Sequence, residues 1–432
     1  MYKPQIYKLV GTALAGALFA LPATAESQAR IVRLSDVQGT VQIDKNAGLG
    51  FERAFANLPI TQGTQLRTRE NGRAEIEFED GSTLRVTPNT TLQFSQLGLS
   101  DAGKRISTLD LVEGKAYVNW LGKSGDALTL NFSQEKVELR QSAHFRVASS
   151  SSMAEIASFK NELQVVGPSN TTKVAKKKMV TFDVNNNDSA TMAKNFEVDP
   201  YDQWDKESIE YHDQYSKNNS TPYGYGYSDL SYYGGYRNVA GYGTLWQPYF
   251  AGAGWNPYLD GAWSWYPGLG FMWASAYPWG WMPYYYGNWA FVPGFGWGWQ
   301  PGGFNTWRGG IHYVGASAGF HPPAAPTGTV GTVVVGRGAP LGTRVSAMGT
   351  LVTGGSAGLG IPRGSVGNLH QLNTQVTKTG SVQLHTAPAF AASSHVGGYS
   401  HSAAAHSTGS VGHSSAASPA HSSSVGAHTG HR

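Results

Sequence analysis

The sequence predicts an all-β protein, and three observations carry that prediction. Between residues 31 and 183, short runs alternate apolar with polar side chains, with turn residues about every 8–12 positions. Between 223 and 307, a strand–turn–strand unit recurs three times. Only one stretch, near residue 200, carries the start signals of a convincing helix. Together they predict a β-sandwich or jelly-roll-type domain, a linking helix, a small aromatic β-hairpin repeat unit and a disordered C-terminal tail.

Taken in order, residues 1–25 read as an export signal. Lys3 and Lys8 precede an apolar run from Leu9 to Leu21, and Ala23-Thr24-Ala25 offers a small-x-small cleavage site near Ala25. The run is short for a membrane span, and no later stretch reaches about 18 apolar residues. The expectation is therefore a periplasmic, secreted or cell-surface protein with no integral membrane segment in the mature chain. The absence of Cys rules out disulfides, cysteine nucleophiles and Cys-based zinc sites. Loss of Lys3 and Lys8 lowers the net charge from +4 to +2. Residues 26–222 carry 23 basic and 26 acidic residues, and 223–432 carry seven and two. So dilute a positive charge predicts no nucleic-acid partner.

Within 31–183, Arg73 to Phe78 places Ala74, Ile76 and Phe78 on one strand face and Arg73, Glu75 and Glu77 on the other. Asp80-Gly81 then turns the chain into Thr83-Leu84-Arg85-Val86, a strong hairpin signal. Further runs follow at 106–112, 116–120, 128–132, 137–139, 143–147, 155–159 and 163–166. The glutamates, with Glu79 and Asp80, are expected on a solvated face.

The string from Leu58 to Thr68, then Gly72 to Thr90 and a later Glu113-Gly114-Lys115-Ala116-Tyr117-Val118, resembles the FecR domain over about residues 31–130. That domain is named after a periplasmic regulator of ferric-citrate signalling. The resemblance implies a periplasmic β-domain that contacts other proteins, and it brings no catalytic residues. Sensor proteins of the family add a cytoplasmic anti-sigma segment and one membrane helix, and this sequence shows neither.

The linking helix is expected within 196–219. Asp199 is a candidate N-cap, Pro200 suits the first helical position, and Asp202 and Asp205 favour the positive end.

The stretch 223–307 holds 14 Tyr, 11 Trp, 5 Phe and 18 Gly with three charges, Asp229, Arg237 and Asp260. Residues 257–273 align without a gap on 283–299, with eight of 17 positions identical, and a weaker copy precedes them. Pro267-Gly268 and Pro293-Gly294 punctuate hairpins whose ends carry Trp. Two roles suit the rings. They fill the interior of a β-array with little Leu, Ile or Val, or they present a stacking surface to a partner. The candidate surface is Trp246, Trp263, Trp265, Trp273, Trp279, Trp281, Trp289, Trp297 and Trp299. Gly241-Tyr242-Gly243, Pro278-Trp279-Gly280-Trp281, Pro283-Tyr284 and Gly296-Trp297 make 223–314 similar to an uncharacterised family of exported, Pro-rich bacterial proteins that often follows a FecR-like domain.

From 315 to 432 the chain is Gly-, Ala-, Ser-, Thr-, Val- and His-rich, so disorder is expected, with the apolar patch Thr329 to Val335 a candidate for an isolated strand or a sticky segment. The nine His from 370 onward, among them His401, His406, His428 and His431, lack supporting carboxylates, and no metal site is assigned. No HExxH, P-loop or dinucleotide fingerprint occurs. The expectation is a non-enzymatic envelope protein, without cofactor, that acts on a protein partner. Glycan binding and a signalling role without the membrane relay are its rivals.

Overall fold

The computed structural model describes residues 30–384, apart from 124, 187, 306, 329–330 and 337–349. The expected export signal and the His-rich stretch from 385 onward lie outside the described residues.

Alternation in the first domain builds two facing sheets. One pairs Val32–Gln38, Arg73–Glu77, Thr83–Val86, the end of Arg105–Trp120, Ala143–Ser149, Met153–Lys160, Met179–Asp183 and Ser189–Met192 in that order, all antiparallel. The other runs Val41–Asp44, Gln65–Thr68, Thr91–Leu99, the start of Arg105–Trp120, Ala127–Phe132, Glu135–Leu139, Leu163–Val166 and Thr171–Val174. The expected strands 106–112 and 116–120 are one 16-residue strand shared by both sheets. It passes from one sheet to the other at Gly114, where φ is +98° and a Cβ would lie 2.5 Å from the Thr90 Cα, so the position demands glycine. Leu34, Ile76, Leu84, Val118, Phe145 and Ile156 from one sheet meet Ile43, Leu66, Leu92, Leu109, Leu130 and Val165 from the other.

The helix forms as α1, Asp202–Tyr215. Tyr201, not Asp199, occupies the N-cap position, although the Tyr201 backbone N–H donates to the Asp199 carboxylate at 2.9 Å. A second helix that the sequence did not signal, α2 at Tyr227–Tyr233, follows.

The aromatic region contains the three expected hairpins: Gly234–Val239 with Gly243–Pro248, Gly261–Tyr266 with Gly270–Ser275, and Asn288–Val292 with Gly296–Gln300. Each turn holds two left-handed glycines, such as Gly268 (φ +74°) and Gly270 (φ +76°). Each closing Trp folds back over the glycine that opens its unit. A Cβ on Gly234 would lie 2.3 Å from the Trp246 ring, and one on Gly261 would lie 2.4 Å from the Trp273 ring. Glycine and tryptophan thus form one structural pair within each unit.

Two expectations fail in the chain after 315. Thr332–Val335 is not isolated; it extends the second hairpin by pairing with Gly261–Ser264. Disorder is also wrong for the described residues from 350 to 384. They form a hairpin, Thr350–Thr353 with Ser381–Leu384, and helix α3, Leu369–Thr379. Val352, Ala357, Ile361, Leu369, Leu372 and Val376 enter the aromatic core. That core needs more apolar partners than 223–314 contains, and this segment provides them.

Candidate functional site

The outer face of the first sheet carries the residues that alternation points away from the aliphatic core. Register places Glu75, Arg85, Tyr117 and Arg146 side by side across four neighbouring strands. A row of this kind is expected in water. Instead Glu75 is 2% exposed and Arg85 0%, because α1 lies across it.

The helix fits the row by length and by charge. Asp202 and His212 are ten residues apart, about 15 Å along a helix, and three strand spacings amount to about 14 Å. At one end Asp202 accepts from Arg146 (2.8 Å) and from the Tyr117 hydroxyl (2.8 Å). In the middle Asp205 accepts from Arg85 at 2.8 Å and pairs with His144 Nε2 at 2.6 Å. At the other end His212 sets Nε2 3.0 Å from Glu75 and Nδ1 3.3 Å from Glu77. The carboxylates expected merely to complement the helix dipole are in fact the docking contacts.

Two more segments close over the His212 end. Arg33, with no exposed surface, reaches Glu77 at 2.7 Å, Asp229 of α2 at 2.6 Å, Asn57, and the Pro278 carbonyl at 2.8 Å. Arg363 donates to Glu75 at 2.6 Å and to Asp229 at 2.7 Å. Tyr211 donates to the same Asp229 at 2.8 Å. Five stretches of chain, separated by up to about 330 positions, therefore meet in one ionic cluster. The solvated glutamate face expected from sequence is overturned, since strand alternation chooses a face and another element decides whether water reaches it.

The cluster balances when His212 is protonated. Arg33, Arg85, Arg363 and the imidazolium then oppose Glu75, Glu77, Asp205 and Asp229. Burial opposes a charge on His212, but Glu75 and Glu77 outweigh it and raise its pKa above the ordinary histidine value. Burial likewise opposes ionised Glu75, but His212, Arg85 and Arg363 hold that carboxyl well below its usual range. Beside the cluster lies a cleft of about 380 Å³, with Trp204, Tyr215, Arg73, Asp36 and Glu207 in its walls.

The nine tryptophans proposed as a surface occupy a different place. Trp246, Trp279, Trp281, Trp289 and Trp299 have no exposed surface, and Trp263, Trp273 and Trp297 keep 5% or less. Trp265 alone among the nine is half-buried. The stacking-surface assignment is therefore corrected: the region holds few aliphatic side chains, and its rings are consumed as its interior. Trp279 stacks on Tyr277 (centroids 5.1 Å, 9°), and Trp246 tilts against Trp279 at 4.9 Å.

With this geometry in view, residues 64–164 match the family described as FecR protein. The first β-domain carries a FecR domain. Residues 227–322 match a family of unknown function, DUF6600, which covers α2 and the three hairpins. Two crystal structures of a candidate anti-sigma factor from Parabacteroides distasonis ATCC 8503, at 1.65 and 2.50 Å, are similar with 13% identity and TM-scores of 0.26 and 0.27. The similarity covers 30% of this chain and 59% of theirs, so the chain spans less than two thirds of their length. No curated protein matches. No helix among the described residues is long and apolar enough to cross a membrane.

Proposed function

We propose that this is a non-enzymatic envelope protein that works by protein–protein contact through the FecR domain, with the DUF6600 region as its intramolecular partner. One observation carries the reading: the two outer faces of the FecR domain are treated differently. The face bearing Glu75, Arg85 and Arg146 is sealed by α1, with Asp229 of α2 and Arg363 closing over its end. The face of the other sheet is left open and polar. Across it Gln65, Gln93, Asp110, Asn131 and Lys136 stand in register on five adjacent strands, all partly accessible. A regular row of amides and charges offers hydrogen bonds to a partner, and it supplies no nucleophile–base pair for catalysis.

Glycan stacking on exposed tryptophans loses its support, because eight of the nine candidate rings are interior. A photo-crosslinking residue placed at Gln93 or Thr129 of the exported chain tests the proposal. The expected result is one discrete protein adduct that is missing when the residue is placed at Trp265. Equal or absent protein adducts at all three positions would remove the open face as the contact surface.

A further inference from the structure

A third surface, at the edge of the first sheet beyond Arg146, is used by neither the cluster nor the open face. Three turns bring lysines together there. Lys176, Lys177 and Lys178 form the crossing between the two sheets, and hydrogen bonds between Ser158 and Lys178 (3.0 Å) and between Lys177 and Ser158 (2.8 Å) hold them beside Lys160. The Ala193 N–H bonds the Met179 carbonyl at 2.9 Å, which brings Lys194 to the same corner. All five lysines are exposed, and none of them forms an ion pair among the described residues. The nearby carboxylates are Glu162, 3.9 Å from Lys173, and the exposed Glu197. On the strand and connection that carry Lys194, Met192 is 48% exposed and Val198 84%.

We infer that this corner docks on an anionic phospholipid surface, with the lysines over the headgroups and Met192 and Val198 entering the interface. Clustered lysines alone fit any polyanion. The two exposed apolar side chains that flank Lys194 in the chain favour a bilayer, because a soluble polyanion gives them nothing to enter. The binding is peripheral and sensitive to salt, since exposed charges are screened within about 10 Å at 0.1 M ionic strength.

The test is co-sedimentation of the full chain with vesicles of mixed phosphatidylglycerol and phosphatidylcholine, compared with phosphatidylcholine alone. Binding to the anionic vesicles only, lost at high salt, is expected. The triple variant Lys176→Glu, Lys177→Glu, Lys178→Glu should weaken it about a hundredfold with an unchanged melting temperature. Met192→Ser with Val198→Ser should weaken it further without altering retention on a soluble polyphosphate resin. Equal binding to both vesicle types, no binding, or indifference to the lysine variant would overturn the proposal. Capture by polyphosphate with no vesicle binding would replace the bilayer with a soluble polyanion.

Discussion

The FecR domain fills its interior with Val, Leu, Ile and Phe, whereas the DUF6600 region fills its own with Trp and Tyr. Aliphatic side chains place no directional demand on their neighbours, so regular alternation on two sheets suffices. Indole N–H and phenol O–H groups need acceptors once buried. Trp246 donates to the Leu230 carbonyl at 3.1 Å, Trp299 to that of Tyr286 at 2.8 Å, and Trp279 to that of Ala357 at 2.7 Å. Tyr233 donates to the Ile361 carbonyl at 2.7 Å. These acceptors come from loops and helix ends, because strand carbonyls are already engaged in ladders. An aromatic interior therefore draws in irregular backbone, here including residues 357–361. The indole N–H groups of Trp273, Trp281 and Trp289 have no acceptor among the described residues, and these rings pack in edge-on or tilted pairs instead.

The largest effect that would break this comparison is removal of the recruited segment. A chain ending at 349 strips six buried apolar side chains and the acceptors of Trp279 and Tyr233. With Arg363 of the ionic cluster removed as well, denaturant unfolding followed by Trp fluorescence should show a loss of about 5 kcal/mol or more. An unchanged transition would mean that the aromatic core closes by itself.

Next is the ionic seam between the two halves. Arg33→Ala leaves Glu77 and Asp229 buried without that partner, and a cost of about 3–5 kcal/mol is expected in thermal or denaturant melts. Asn131→Ala, on the open face, should change stability by about 0.5 kcal/mol at most. Equal costs would deny that the two faces differ.

Within the aromatic core, Trp246→Ala is expected to cost about 3–5 kcal/mol and the half-buried Trp265→Ala about 1 kcal/mol or less. Gly261→Ala should cost about 1–3 kcal/mol, since its methyl would meet the Trp273 ring and the Ala274 carbonyl oxygen 2.7 Å away.

The smallest expected effect is on pH dependence. The His212 pKa is raised on folding, so its stabilising contribution is complete below the unfolded value of about 6.5 and fades as pH rises through the folded value. Glu75 has the opposite sign: its contribution is present above the unfolded carboxylate range and is lost as pH falls through its depressed folded value. Melting temperature should therefore peak on the mildly acidic side and decline above it. His212→Gln should flatten the decline, and an identical slope in the variant would remove His212 as its source.

Local chemistry was readable in advance. The Asp80-Gly81 turn, the partition of Ala74, Ile76 and Phe78 from Glu75 and Glu77, and the start of α1 near Asp202 all follow from neighbours in the chain. The ionic cluster was not readable, because Arg33, Glu75, His212, Asp229 and Arg363 share no spacing or motif. A buried-charge reading would have needed Asp202, Asp205 and His212 to be taken as one helix face facing the Glu75–Arg85–Arg146 row, a match of lengths rather than of residues.

Local sequence was enough to establish that the chain is β-rich, that three hairpins repeat, and that the hairpin ends carry Trp. Period, turn residues and side-chain volume act over a few residues, so they are legible locally. Only the tertiary structure decided that the tryptophans turn inward, that the glutamate face is sealed, and that residues 350–384 join the core. Whether a polar row or an aromatic ring meets water depends on which distant segment packs against it, and that packing depends on side chains more than a hundred positions away.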